Sequence, residues 1–445
     1  MATETEILDE KMKIDGDPTK EFFIFMLTKD IDLKRAIADL VDNSVDGARR
    51  LRPNGNYKGL FVEIEANADR FSIRDNCGGI DVNVARKYAF RFGRPKDAPE
   101  MLKHSIGQFG VGMKRALFKM GRIFAIESTT KSSTFTIPIN TDVWARKPDK
   151  WDFVFKTVDE NYRLKKGEEP GTTIEVTKLH SSIAEEFASE NFQKRMNLDL
   201  AADHQFSING GLTISLNKVA LKHATPSLLV SRKILPAFQT IILNGAAPKV
   251  NVRLYAGIGE SDPKNAGWSI FCNDRMILGG DRTIRTGWGE EGVPSYHNEY
   301  ARFKGYVLFD SDRADALPWN TTKSGVDMDS THYRNVRAHM ISAMRPVIDF
   351  MSRVAREKKR LSEDDESQYE RIIQEAKPAE LESVKKNSKF QYPVRKITTE
   401  KSNMANIQYQ RSHDQVEVAK SVLKVSKASQ VGERTFDYFF NRECK

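Results

Sequence analysis

Two polar side chains with the types and spacing for metal binding and acid–base chemistry occur between Ala36 and Ala48. Asp39 and Asn43 are four residues apart, so on a helix both project from one face, opposite an apolar stripe. An amide oxygen can bind Mg²⁺, which takes few protein ligands and keeps others from water and phosphate. A carboxylate one turn earlier can orient or deprotonate an attacking water. By itself such a pair is more often a solvated helix face.

A second polar segment, from Ile73 to Ile80, is predicted as a strand that runs into a turn. Asp75 at this place can accept a hydrogen bond from the amino group of adenine. Gly78 and Gly79 let a base come close to the backbone, because they carry no side chain. Taken alone, the segment is also an ordinary polar turn.

A third segment, from Ile106 to Lys114, has the pattern GxxGxG and leads into a helix. Backbone N–H groups of such a loop, together with the helix N-terminus, suit triphosphate oxygens. Further along the chain, Thr172 begins a strand and can reach the aspartate or the adenine through its hydroxyl. Each signal alone also fits a tight turn or a strand start. The predicted contacts in the third segment are Gly107, Gln108, Phe109, Gly110, Val111, Gly112 and Met113.

In this order and at these separations, the four segments resemble the N, G1, G2 and G3 boxes of the GHKL superfamily. That superfamily includes gyrase, chaperones of the Hsp90 class, histidine kinases, MutL and MORC. The resemblance implies a Bergerat fold that binds ATP and Mg²⁺, with Asn43 on the metal and Asp75 on adenine. It assigns phosphate contacts to Gly107, Gly110 and Gly112, and an ATP lid to residues 85–105.

Two positions depart from the superfamily pattern. Members that hydrolyse ATP usually carry glutamate where this chain has Asp39, so the carboxylate is retracted by one methylene, about 1.5 Å of bond length. Poor positioning of the attacking water, and therefore slow hydrolysis, is the expected consequence. Cys77 occupies the place of the first G1 glycine, although Gly78 and Gly79 follow it.

A basic residue far along the chain is a candidate partner for the γ-phosphate. Lys323 lies in a loop, ALPWNTTKSGVD, that follows the apolar strand GYVLFD, and this arrangement looks like the transducer-lysine loop of the superfamily. The segment WSIFCNDRMIL resembles the strand that carries an Asn-Arg pair in MutL-like transducers. A lysine supplied by another domain completes the site only when the domains close, which makes ATP a switch. Solvent exposure is the ordinary alternative for such a lysine.

Hydrophobic periodicity predicts the elements that position these residues. Apolar residues recur every three or four positions from Phe22 to about Leu51, which indicates a helix. Two short strands are expected over residues 61–73, a helix over Met113–Met120, and further strands over residues 122–180. The predicted fold class is mixed α/β (α+β): an ATP-binding sandwich, then a transducer-like α/β domain, then a helical tail.

The predicted domain organisation has five parts. They are an N-terminal arm at 1–20, the ATP-binding domain at 21–185, the transducer-like domain at 206–332, a charged helical segment at 333–390 and a C-terminal docking tail at 391–445. Strands expected in the second domain include LTISL, NVRLYAGI and WSIFCNDRMIL. Relatives usually pair their ATP domains through an N-terminal exchange, so the arm is expected to cross to a partner protomer in an ATP-dependent homodimer.

Composition limits the remaining choices. No apolar run approaches the roughly eighteen residues of a membrane span, the amino terminus has no signal-peptide pattern, and a cytoplasmic (or nuclear) location is expected. The three cysteines are far apart, so neither a disulfide framework nor a paired-cysteine metal site is available. The net charge of +9 permits DNA binding without establishing it.

Three functions remain open at this point. The first is an ATP-dependent dimerising clamp in the MutL or MORC manner, acting on DNA or a DNA-bound complex, similar to free-standing bacterial ATPases of unassigned or defence-related role. The second is an Hsp90-like chaperone or assembly factor whose tail docks a second protein. The third is a nucleotide-sensing subunit with little turnover. A histidine kinase is not expected without phosphoacceptor helices, nor a topoisomerase without a catalytic tyrosine domain.

Overall fold

The computed structural model describes residues 12, 14, 16–93, 104–107, 110–243, 249–361, 367–393, 407 and 409–444. These residues fall into two compact units, 1–393 and 394–445. Most of the predicted arm at 1–20, the central part of the predicted lid, and the predicted contacts Gln108 and Phe109 lie outside the described residues. None of the described helices is both long enough and apolar enough to cross a lipid bilayer.

The predicted helix from Phe22 to Leu51 is two helices, α1 (Lys20–Lys29) and α2 (Leu33–Leu51). The break has a local cause, because the Asp32 side chain accepts a hydrogen bond from the Arg35 amide at 2.9 Å and caps the start of α2. The apolar stripe of α2 is fully buried, as its periodicity predicts. Its members are Ala36, Ile37, Leu40, Val41, Val45 and Ala48.

Lys20, the last residue of the predicted arm, packs within the first compact unit, residues 1–393. Its ammonium group donates hydrogen bonds to the carbonyl oxygens of Trp144 (3.0 Å), Lys147 (2.6 Å) and Lys150 (2.5 Å). The ammonium also lies 4.0 Å from the centre of the Trp144 ring. Helix α1 therefore begins from an anchored residue.

The first sheet has eight strands in the order β5-β4-β3-β6-β2-β1-β7-β8. Neighbouring strands are antiparallel except β1 and β7, which are parallel. The strands predicted at 61–73 and 122–180 are all present in it. The bounds are β1 (Phe61–Ala66), β2 (Phe71–Asp75), β3 (Gly121–Thr129), β4 (Thr134–Asn140), β5 (Thr157–Asp159), β6 (Gly171–Leu179), β7 (Thr213–Leu216) and β8 (Val219–Ala220).

Helices connect the strands of this sheet and share its core. Val82–Val84 (α3) continues as a π-helical turn over Ala85–Ala89, and the helix predicted at 113–120 is α4 (Gly112–Met120). Helix α4 packs on α2, and buried residues of both helices and of the sheet form one core. The other helices here are α5 (Thr141–Ala145), α6 (Ser181–Ala188), α7 (Glu190–Asp203) and α8 (Gln205–Asn209).

The first sheet extends beyond the boundary expected at residue 206. The segment LTISL was assigned to the second domain, but its strand β7 pairs in parallel with β1, for example Val62 with Ile214. The physical reason is that β1 would otherwise expose an unpaired edge. Helices α6 to α8 supply the crossover that a parallel pairing requires.

The second sheet has five strands in the order β10-β11-β14-β12-β13. All neighbours are antiparallel except β12 and β14, which are parallel. The long helix α9 (Thr331–Arg360) packs along β11. The bounds are β9 (Ser227–Val230), which lies outside this sheet, β10 (Ala237–Leu243), β11 (Val250–Ile258), β12 (Gly267–Cys272), β13 (Arg275–Asp281) and β14 (Phe303–Asp310).

The segment at 333–390, expected to be a charged helix, contains more than helix. After α9 the chain forms α10 (Gln368–Gln374) and then β15 (Lys377–Glu380), which pairs antiparallel with β9. Leu381 and Val384, just after β15, join a cluster with Tyr255 and Phe271 of the second sheet. Burial of these apolar residues explains why the chain returns to the sheet and does not continue as a solvated helix.

The second unit contains a pair of helices, α11 (His413–Leu423) and α12 (Ala428–Glu443). Neither helix has a buried residue. The aromatic side chains of α12 are exposed, with Tyr438 at 65% and Phe439 at 56% exposure.

A steric prediction follows for Gly305, which lies beneath the buried ring of Trp268. A Cβ atom at this position would be 2.3 Å from that ring. We expect Gly305→Ala to lower the free energy of unfolding by about 1–3 kcal/mol through overpacking, measured by urea denaturation. Gly16→Ala is the control because a Cβ there meets nothing within 4 Å. Equal stability of the two variants would contradict the packing described.

Candidate nucleotide-binding site

Asp75 is held at the end of β2 by three hydrogen bonds. Its carboxylate accepts from the Ser44 hydroxyl at 2.7 Å, the Cys77 amide at 2.8 Å and the Thr172 amide at 3.3 Å. Alternation along the strand puts Asp75 on the same face as buried Ile73, towards helix α2. Burial raises the pKa of Asp75 above its usual value, against the hydrogen bonds from Cys77 and Ser44. The side chain is therefore fixed in direction before any ligand arrives.

The turn after Asp75 packs closely against the neighbouring strands. Gly79 has φ +69°, and a Cβ atom there would lie 2.2 Å from the carbonyl oxygen of Thr129. Only glycine fits such a position without displacing the backbone. The Thr172 hydroxyl is 3.1 Å from the hydroxyl of Ser128, so it is directed within this part of the sheet, while its amide bonds to Asp75.

Asn43 lies one helical turn after Asp39 on α2 and is exposed. Among the described residues, none donates a hydrogen bond to its amide oxygen, and that oxygen is 3.9 Å from where a Cβ of Gly107 would be. Asp46, one turn further along, accepts hydrogen bonds from the amides of Ile106 and Gly107, each at 2.8 Å. Helix α2 therefore holds the first predicted glycine beside the free amide of Asn43.

The third segment of the sequence motif, residues 106–114, is called the glycine segment. Its remaining described residues lead into α4. Gly110 has φ +64°, and Val111, at the N-cap of α4, makes no side-chain capping bond. The N–H groups of the first turn, which includes Met113, are consequently available to an anion. A Cβ at Gly112 would be 3.2 Å from a carboxylate oxygen of Asp39, so this helix start lies directly on α2.

Both oxygens of Asp39 are engaged by cations. Its Oδ2 accepts a hydrogen bond from Arg115 of α4 at 2.6 Å, and its Oδ1 is 3.4 Å from the ammonium of Lys323. The Arg115 Nε–H is buried and has no hydrogen-bond partner among the described residues. Lys114, the neighbouring cation, instead donates to the carbonyl oxygens of Ala89 (2.9 Å) and Arg91 (2.5 Å).

Lys323 lies in the loop after β14 and contacts helix α2, which also carries Asn43. It is 5% exposed, has φ +50°, and its ammonium donates to Asp42 Oδ2 at 2.7 Å. Burial alone would lower the pKa of Lys323, but the carboxylates of Asp42 and Asp39 raise it above its usual value. The lysine is therefore charged, buried and adjacent to the candidate catalytic carboxylate.

Asp42 is also paired with Arg275, the first residue of β13. The Arg275 guanidinium contacts Asp42 and Asp203, each at 2.8 Å, and all three side chains are buried. His204 lies 3.6 Å from Asp42. Burial and the charge of Arg275 lower the pKa of His204 to about 3, so this imidazole is neutral.

The structure brings together most of the residues that the sequence nominated. Asp39, Asn43, Gly107, Gly112 and Lys323 meet beside the middle of α2, and Asp75, Gly79 and Thr172 meet at the end of β2. Sequence reasoning missed Ser44, Asp46, Asp42 and Arg115, and it noted Arg275 only through the resemblance of its segment to a strand with an Asn-Arg pair. The available signal was the acidic face of α2, where Asp39, Asp42 and Asp46 recur every three or four residues.

Comparison with known proteins agrees with this geometry. Residues 31–164 match the family model described as histidine kinase-, DNA gyrase B- and HSP90-like ATPase. The matched range contains Asp39, Asn43, Asp75 and the glycine segment, whereas Thr172 and Lys323 lie beyond it. No curated protein matches the chain at a significant level. Residues 31–164 are a GHKL-type ATPase domain, and a domain of this class binds ATP.

The buried, neutral state of His204 predicts a pH dependence of stability. Unfolded histidine protonates near pH 6.5 and folded His204 near pH 3, so between these values the unfolded state binds more protons. The free energy of unfolding should therefore fall as the pH decreases through this window, by at most about 1.4 kcal/mol per pH unit from this group. We expect His204→Gln to reduce that slope in urea denaturation at pH 4.5–7.

The matched control is His223→Gln, because His223 is exposed. It should keep the wild-type slope. If His204→Gln and wild type lose stability in parallel as the pH falls, His204 does not supply the pH dependence.

Proposed function

We propose that this protein is an ATP-driven conformational switch in which Lys323 reports the nucleotide state. The observation that carries the proposal is the burial of Lys323 against Asp39 and Asp42, on the same helix as Asn43. A cation held there by carboxylates is placed to exchange those partners for the γ-phosphate. The nucleotide then controls a contact between the ATPase domain and the loop that follows the second sheet.

We assign ATP contacts as follows. The prepositioned Asp75 carboxylate accepts a hydrogen bond from the adenine amino group, with Gly79 and Thr172 beside it. The free amide oxygen of Asn43 binds Mg²⁺, whose other ligands come from phosphate and water. The uncapped start of α4 receives the phosphates. The predicted contacts there are Gly107, Gln108, Phe109, Gly110, Val111, Gly112 and Met113.

We further propose that hydrolysis is slow and depends on release of Asp39. Because Arg115 and Lys323 engage both of its oxygens, Asp39 can orient a water only after one ion pair opens. Transfer of Lys323 to the γ-phosphate would free Oδ1 for that task. The unpartnered Nε–H of Arg115 is a second donor available to phosphate. Asp39 is thus the water-positioning residue and Lys323 the γ-phosphate contact.

Two substitutions separate binding from turnover. Asn43→Ala removes the proposed metal ligand and should weaken Mg·ATP binding at least about tenfold, whereas Asp39→Asn should keep binding within about threefold and lower turnover at least about a hundredfold. Isothermal titration calorimetry and steady-state phosphate release measure the two effects. Asn161→Ala, at an exposed position outside the site, is the control. Wild-type turnover by Asp39→Asn would disprove the role given to Asp39.

For the output of the switch, we propose a dimerising clamp that acts on DNA, in the manner of MutL or MORC. The support is the net charge of +9, which favours phosphate neutralisation, together with analogy between folds. The alternative output is docking of a second protein on the C-terminal helices. Its support is the exposed aromatic side chains of α12, including Tyr438 and Phe439.

A salt titration distinguishes the two outputs. DNA binding through phosphate neutralisation should weaken by about 10³-fold or more between 50 and 200 mM salt if the protein makes six or more phosphate contacts. We expect this loss in filter binding with a non-hydrolysable ATP analogue, together with a dimer mass in light scattering. Absence of DNA binding at low salt would exclude the clamp on DNA, and a monomer under these conditions would exclude the dimer.

A further inference from the structure

The turn between β12 and β13 presents a buried polar side chain to the ATPase domain. Asn273 and Asp274 form this two-residue turn, with φ values of +45° and +62°. Turns with two positive φ values suit the twist of a hairpin, and asparagine and aspartate adopt them readily. Such turns are usually exposed at their tips, but Asn273 is only 1% exposed. Its burial therefore calls for a reason beyond turn formation.

The Asn273 amide links two segments that are far apart in sequence. Its Nδ2 group donates to the carbonyl oxygens of Ser105 (3.0 Å) and Ser311 (3.1 Å), and its Oδ1 accepts from the Ser311 amide at 3.0 Å. Both N–H donors and the acceptor oxygen are thus in use. All three residues are buried, so water cannot replace a lost partner without entering the core.

The two linked segments are the two sides of the proposed switch. Ser105 immediately precedes Ile106 and Gly107, whose amides Asp46 holds beside Asn43. Ser311 begins the segment 311–326, here named the lysine loop, which contains Lys323. Asn273 bonds to both segments from a buried position, at 3.0 and 3.1 Å, and the side chains of His104 and Asp312 join them directly at 3.3 Å on the surface.

Arg49 of α2 strengthens the connection from the other side. Its guanidinium donates to the carbonyl oxygens of Asn273 and His104, each at 2.6 Å. The root of the glycine segment, His104–Gly107, is therefore bonded to both α2 and the β12–β13 turn. A displacement of this root on nucleotide binding is carried to the turn.

We propose that Asn273 is a positioning residue that couples the root of the glycine segment to the lysine loop. This inference rests on the proposed ATP switch, because it assigns the route by which nucleotide at Gly107 influences Lys323. Asn273 itself touches neither the nucleotide nor the metal. Its amide transmits position through one buried set of hydrogen bonds, so loss of the amide removes the buried link between the two segments and leaves the exposed His104–Asp312 pair, at 3.3 Å, in place.

Asn273→Gly tests the coupling without distorting the turn, because glycine adopts positive φ at no steric cost. The matched control is Asn217→Gly. Asn217 also lies at positive φ (+48°) in a hairpin turn, and among the described residues its side chain bonds only to the backbone of Ala66, at 2.9 and 3.1 Å. Thermal unfolding of the two variants shows whether each removes a comparable amount of stability.

The measurement is hydrogen exchange with and without Mg²⁺ and a non-hydrolysable ATP analogue. In wild type and Asn217→Gly, the analogue should slow exchange both at residues 104–107 and in the lysine loop. In Asn273→Gly, protection at 104–107 should persist, whereas protection of the lysine loop should fall about tenfold, the scale of a typical coupling between sites. Turnover should fall by a similar factor while affinity for the analogue changes by less than about threefold.

The outcomes separate this inference from the function on which it rests. Failure of the wild type to bind the analogue overturns the proposed ATP switch and the coupling with it. Normal binding by wild type, with full protection of the lysine loop in Asn273→Gly, overturns the coupling alone. An equal loss of protection in Asn217→Gly also overturns it, because the effect would then be one of general stability.

Discussion

The structure depends on a group of buried charges that joins helix α2 to the second sheet. Asp39, Asp42 and Asp203 are paired with Arg115, Arg275 and Lys323 at distances of 2.6–3.4 Å. Removing one member would leave an uncompensated buried charge, at a cost of about 3–5 kcal/mol. The group therefore fixes α2, the start of α4 and the β12–β13 turn relative to one another. These elements carry the candidate nucleotide site.

In the switch proposed above, the same charges account for two states of the site. In this structure the carboxylates of Asp39 and Asp42 bind Lys323. A phosphate would have to compete with them for the lysine. Competition between two anionic partners for one cation is a simple physical basis for a switch, because the nucleotide needs only a differential affinity for the two arrangements. In that proposal Asp39 contributes to both states, since it contacts the lysine in one and would be free to orient water in the other.

Burial distinguishes the residues of α2 that are open to solvent from those that pack in the protein interior. Asn43 is exposed, whereas Asp42 beside it is fully buried. Adjacent residues on one helix thus face solvent and the protein interior respectively, because successive side chains are about 100° apart around a helix axis. The division explains why the acidic residues of α2 are not equivalent, although the sequence presents them as one repeating pattern.

The sequence by itself determined the ATPase class, most of the strands and the nominated Asn43, Asp75 and glycine positions, because periodicity and motif spacing are local properties. It did not determine the break between α1 and α2, the placement of β7 in the first sheet, or the pairing of β15 with β9. The break follows from the Asp32 cap, whereas the two strand placements depend on edge pairing and burial between distant segments. The partners of Lys323, and the parts played by Arg115, Arg275 and Asn273, were likewise decided only by tertiary structure. Their contacts join residues at least 38 positions apart, and most of them more than 70, which no local pattern encodes.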